Sequence, residues 1–138
     1  EESDAIVFGE NGLMDHCMAL RNNIVIPKIG WNIVSVLKMC NGLNDAGYKV
    51  YLISVDLDRQ KATQRAYNRF ITTSRYVPLS LVFDNYGNQS TLNYFKIKQK
   101  DSHVFEGFSQ ISTDVAIGQP AILVEEHNME ELKNVEWR

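Results

Sequence analysis

Four arginines, Arg59, Arg65, Arg69 and Arg75, crowd residues 59–75 of a chain whose formal net charge is −3. Planar guanidinium groups keep their charge and grip phosphate oxygens in bidentate fashion, so such a cluster suits the holding of a triphosphate. The cluster follows the apolar run Tyr48 to Val55, which ends on Asp56, and Arg75 opens the loop Arg75-Tyr76-Val77-Pro78. The usual counterpart of such arginines is the backbone cradle Gly-x-x-x-x-Gly-Lys-Ser/Thr, and the sequence nowhere contains it. Gly9-Glu10-Asn11-Gly12 lacks both the lysine and a preceding strand.

Spacing alone leaves two readings of the arginines open. Ala62, Ala66 and Phe70 repeat every four residues and are expected to form a buried seam, which Arg65 and Arg69 flank at about 100° around the helix. Such residues are solvated surface groups on an average helix, or they converge with Arg75 on a phosphate chain. Lys28 is a surface lysine at a strand exit or a substrate contact. Asp56 and Asp58 read as a strand-end residue and a helix cap, with magnesium ligation as the alternative. Tyr86, Tyr94 and Phe95 read as packing residues, although aromatic rings beside such a loop also stack on bases and sugars.

The elements that must carry these groups follow from apolar periodicity. A first helix, capped by Ser3, is interrupted by Gly9 and Gly12, and Leu13, Cys17 and Leu20 give its second half one apolar stripe. Asn23 to Gly30 reads as a central parallel strand with Pro27 at its exit. Ile33, Val36, Leu37, Cys40 and Leu43 trace one face of a helix from Ile33 to Ala46, which Gly47 stops. Tyr48 to Val55 is the next strand, so a right-handed crossover and a parallel pair are expected. Asp58 caps a helix from Arg59 to about Thr73. Beyond Pro78 come a short helix or turn at Leu79 to Phe83, a turn at Tyr86-Gly87-Asn88 and a helix at Thr91 to Gln99. Strands are expected at Val104 to Ile111 and Ala121 to Glu125, then a short helix capped by Asn128. The whole, 1–138, reads as a single α/β domain with a mainly parallel sheet flanked by helices.

Composition narrows the function classes. With 138 residues, 44% of them hydrophobic and 22% charged, the chain belongs with ordinary folded domains. It has no basic footprint for nucleic acid. No apolar run approaches the roughly 18 residues of a membrane span, and no secretory signal opens it, so a cytoplasmic setting is expected. Cys17 and Cys40 show no metal-ligand spacing and read as buried thiols; His16, His103 and His127 lie far apart. No metal ligand set is expected.

The segments NNIVIPKIG from Asn22, AGYKVYLISVDLDRQKATQRAYNRF from Ala46, SRYVPLSLVFDNYGN from Ser74 and TDVAIGQPAILVE from Thr113 together resemble the C-terminal two thirds of zeta-toxin-like P-loop kinases. The resemblance implies an incomplete P-loop kinase-like domain. It further implies ATP or GTP with Mg²⁺ as cofactor and a small-molecule hydroxyl as acceptor of the γ-phosphate. On the same basis Arg69 and Arg75 hold the reacting phosphates with Arg65 in reserve, and Lys28 stands at the substrate end of its strand. In the characterised toxins the acceptor is a UDP-linked amino sugar, but Pro27-Lys28 stands here where they have a glutamate. The phosphate loop and the general-base aspartate would precede Glu1, so this chain alone is expected not to turn over. An antitoxin or inhibitor protein and a homodimer through an exposed sheet edge are the implied protein partners. The alternative is a non-catalytic binding module that kept the fold.

Overall fold

In the computed structural model, which describes residues 6–137, the chain divides after Lys28 into two units. The smaller comprises the described residues through Lys28 with Glu136 and Trp137; the larger is Ile29–Val135. The expected Ser3 cap lies outside the described residues.

In the smaller unit, residues 6–8 are helical and α1 spans Leu13–Ala19. The glycines break the helix between them, as their propensity requires. Gly12 is obligatory, because a Cβ there would stand 2.8 Å from the Gly9 carbonyl oxygen and 2.9 Å from that of Ile6. The strand expected at Asn23 to Gly30 does not form. Ile24 and Ile26 instead line an apolar cavity of about 260 Å³ with Phe8, Leu13, Met14 and Cys17, while Val25 is exposed. A β-branched run becomes a strand only against a neighbouring strand, and this one has none among the described residues.

The larger unit begins with a tether in place of that strand. Asn93, buried, donates from Nδ2 to the carbonyls of Gly30 (2.9 Å) and Trp31 (2.8 Å). Helix α2, Ile33–Asp45, follows, capped by Asn32 Oδ1 accepting from the Ser35 amide at 3.0 Å. Next come β1 (Tyr51–Asp56), α3 (Arg59–Thr73), a π-helical segment (Leu81–Tyr86), α4 (Gln89–Lys100) and a 3₁₀ turn (Ser102–Val104). Strands β2 (Gly107–Ser112) and β3 (Ile122–His127) and the short α5 (Glu130–Lys133) complete it.

The sheet is mixed, not mainly parallel. Its order is β1-β2-β3, with β1 parallel to β2 from Tyr51↔Gly107 to Asp56↔Ser112, and β2 antiparallel to β3 with a bulge at Gln110/Ile111. The parallel partner of β1 is thus the strand reached through α4, not a strand before α2. Gly107 opens β2 because a Cβ there would lie 2.4 Å from the Asn128 carbonyl oxygen. The strand expected from Val104 thus begins only at Gly107, because Val104 closes a 3₁₀ turn and is buried with Phe105 in the core. Asn128 does not cap α5; Met129 occupies that position, and Asn128 Nδ2 donates to the Glu106 carbonyl at 2.6 Å.

Cys40, Tyr94, Ile97, Val104, Phe105 and Phe108 form the buried cluster, with Ile33, Val36, Leu37, Met39, Val50 and Leu52 packed against it. Burial pushes the Cys40 thiol up to about 11, so it is not a nucleophile at neutral pH. At the cluster's edge Lys98 Nζ (2.6 Å) and the Tyr94 hydroxyl (3.1 Å) both donate to Glu125 Oε1, joining α4 to β3. The hydrogen bond from Lys98 holds the Glu125 carboxyl below its ordinary value of 4.5. The opposite sheet face and the outer edge of β1 carry Ile53 and Val55, both exposed, and no strand among the described residues pairs with that edge.

Phe108→Ala should remove about 3–5 kcal/mol of stability, read from urea midpoints, because the ring meets Tyr94 and Phe105 in the cluster. Glu125 has a depressed folded-state pKa, so its contribution is present above the ordinary carboxylate range and is lost as pH falls through the lowered value. Glu125→Gln should therefore be less stable than the parent at neutral pH, with the gap closing in acid; a gap that widens as pH falls would show the pairing to be unimportant.

Candidate functional site

Parallel pairing sets the site's position. Asp56 and Ser112 are the last residues of β1 and β2 and face each other in register, so both strands discharge their carboxyl ends at one edge. In α/β sheets, ligands settle outside those ends.

Asp56 ties this edge together. Its Oδ1 accepts from Ser54 Oγ (2.6 Å) and Thr91 Oγ1 (2.9 Å), and its Oδ2 accepts from Gln110 Nε2. The carbonyl of Asp56 accepts from the amide (2.9 Å) and hydroxyl (3.2 Å) of Thr113. One residue therefore joins β1, α4, β2 and the turn after β2. Its carboxylate is occupied by neutral donors, and among the described residues no three histidine, cysteine, aspartate or glutamate side chains gather where a metal could bind.

Two residues on, Asp58 caps α3 by accepting from the amides of Gln60 (2.9 Å) and Lys61 (3.3 Å), and the helix spans the expected Arg59–Thr73. The expected buried seam is only partly realised. Ala62 and Ala66 are half-buried, Phe70 is exposed at 41%, and no residue of α3 is buried. The cause is what the helix packs on: the π-helical segment and a turn, not the sheet core. Arg59 stacks its guanidinium over the Phe83 ring at 4.4 Å, and Phe70 meets Tyr76 edge-on at 5.5 Å. Ser74, at φ 55°, ends the helix in the left-handed region, and Arg75 follows it into the loop.

Lys61, Arg65 and Arg69 stand at four-residue intervals and so form one basic stripe on α3. At 1.5 Å per residue the stripe is about 12 Å long. Its first two members lean on the turn after β2: Lys61 Nζ pairs with Asp114 Oδ2 at 2.6 Å, and Arg65 Nη2 donates to the Val115 carbonyl at 3.0 Å. Arg69 and Arg75 are exposed, and their side chains have no partner among the described residues. Among the described residues no shared partner draws Arg65, Arg69 and Arg75 together. Lys28 belongs to the smaller unit, where its ammonium lies 4.2 Å above the Phe8 ring.

Sequence reasoning missed Lys61, although its distance of four from Arg65 is the same signal that linked Arg65 to Arg69. It also read Asp56 as a plain strand-end residue, since Thr91 and Gln110 lie 35 and 54 positions away. No helix among the described residues is long and apolar enough to cross a membrane. No family model, curated protein or solved structure matches the chain at a significant level.

Replacing Asp56 by alanine strands the Ser54, Thr91 and Gln110 donors and should cost about 1–3 kcal/mol in chemical denaturation. A neutral outcome would show that these donors find water as readily as the carboxylate.

Proposed function

We propose that the chain is the C-terminal part of an ATP- or GTP-dependent kinase domain of the zeta-toxin type, passing a nucleotide γ-phosphate to a small-molecule hydroxyl in a cytoplasmic setting. The observation that supports this reading best is the basic stripe of Lys61, Arg65 and Arg69, which begins at the carboxyl ends of the parallel pair. Three cations on one helix face suit a row of phosphate oxygens, and bidentate guanidinium contacts are the strong form of that interaction. Arg69 and Arg75, uncommitted to other groups among the described residues, are the residues assigned to the charge on the transferring phosphoryl. Arg65 is assigned to the nucleotide's phosphates, and Lys28, in the smaller unit, separately keeps the acceptor-binding role that the resemblance implies.

A nucleotide triphosphate fits this cationic row. Magnesium does not fit the described residues, because the Asp56 oxygens are taken by Ser54, Thr91 and Gln110, and no step is assigned to the ion here. Arginines accelerate phosphoryl transfer by roughly 10³–10⁵ only where the reacting group is already held in line. The glycine-rich lysine cradle that does so is absent from the sequence, so this chain is inactive alone. The same absence favours the second reading, a non-catalytic module that binds anionic ligands with the same helix.

The two arginine assignments are tested by titrating the chain with ATP at low ionic strength and following amide shifts by NMR. Binding should be weak, and Arg69→Ala and Arg75→Ala should each weaken it by about tenfold, the worth of one charge-assisted contact. Affinities equal to the parent's in both variants would remove these residues from the site.

A further inference from the structure

Helix α3 has no buried residue, yet two of its cations converge on one short turn. Lys61 reaches the Asp114 carboxylate and Arg65 the Val115 carbonyl, one helical turn apart on the same face. The turn itself is firmly held. Thr113 bonds twice to the Asp56 carbonyl, the Asp114 amide donates to Ser112 Oγ at 3.2 Å, and the Val115 amide closes back on the Thr113 carbonyl at 2.8 Å. A rigid support therefore presents two oxygen acceptors to a helix whose other packing is the π-helical segment.

Oxygen acceptors of this kind are what a polyphosphate would offer the same donors. We infer that the turn Thr113–Val115 is a clasp that occupies Lys61 and Arg65 when no anion is bound, and that a polyphosphate must displace it. This rests on the reading of the basic stripe as a phosphate site. Asp114 acts as a built-in competitor: its side chain is 50% exposed, so an anion approaching from solvent meets the ion pair directly. Breaking an exposed pair is cheap, and the clasp is therefore a threshold and not a lock. Its effect is to keep two of the three cations of the stripe engaged, Lys61 by a carboxylate and Arg65 by a carbonyl, until a ligand of higher charge density than a single carboxylate arrives. Arg69, beyond the clasp, is the point at which such a ligand first makes contact.

The test uses the full chain, inorganic tripolyphosphate as probe and 0.15 M salt, with Asp114→Asn beside Asp45→Asn as a charge control at the end of α2. Asp114→Asn should bind tripolyphosphate about threefold to fivefold more tightly than the parent, matching the worth of an exposed ion pair. Asp45→Asn should change little at this ionic strength. Without ligand, amide exchange across residues 59–73 should be faster in Asp114→Asn than in the parent. Equal affinity in parent and Asp114→Asn, or an equal gain in both variants, overturns the clasp while leaving the phosphate site standing. Failure of every form to bind tripolyphosphate overturns both.

Discussion

The carboxylate of Asp56 is the interaction on which the arrangement of the sheet's carboxyl edge depends. Parallel pairing of β1 and β2 brings two strand ends together, but their neighbours arrive from distant parts of the chain. Ser54, Thr91 and Gln110 each place a donor on that carboxylate, and the Asp56 carbonyl receives Thr113. A half-buried carboxylate without these donors would be unfavourable; with them it fixes β1, α4, β2 and the following turn in one geometry. Everything assigned to the basic stripe is measured from this point, because α3 starts two residues later at its Asp58 cap.

Helix α3 stands in contrast to that edge. It has a strong cap and a regular length, but its seam is never fully covered. Its stacking contacts, Arg59 on Phe83 and Phe70 on Tyr76, bind it to the segment that follows it in sequence. Its contacts with the sheet edge are polar and solvent-exposed, through Lys61 and Arg65. Elements held this way open at low free energy, and such elements supply the parts that respond to ligands. A well-anchored strand end and a loosely seated cationic helix together make a surface whose charge can be redeployed without disturbing the core.

How much of this the sequence disclosed depended on the range of the signal. Asp58 and the bounds Arg59–Thr73 were legible because a cap and a helix are local. The apolar face of α2 was legible for the same reason. The run from Asn23 does not become the expected strand because β structure needs a partner, and Ile24 and Ile26 are equally satisfied lining an apolar cavity. The sheet's mixed character was hidden because the direction of β3 is decided by the turn after β2, not by residues 121–125 themselves. Of the site, the arginines were visible by type and spacing. Lys61 was visible but overlooked, and the role of Asp56 was illegible because its partners are joined only by folding. The roles proposed for Arg69, Arg75, Arg65 and Lys28 come from the resemblance to zeta-toxin-like kinases and not from residue spacing.

The central claim is that the face of α3 bearing Lys61, Arg65 and Arg69 receives a chain of phosphates. The most direct measurement is an NMR titration of the arginine side-chain Nε–Hε resonances of the full chain with tripolyphosphate. A phosphate site on this face requires saturable shifts at Arg65, Arg69 and Arg75, with Arg21 unmoved. Shifts spread evenly over all arginines, or confined to residues off this helix and its following loop, would contradict it.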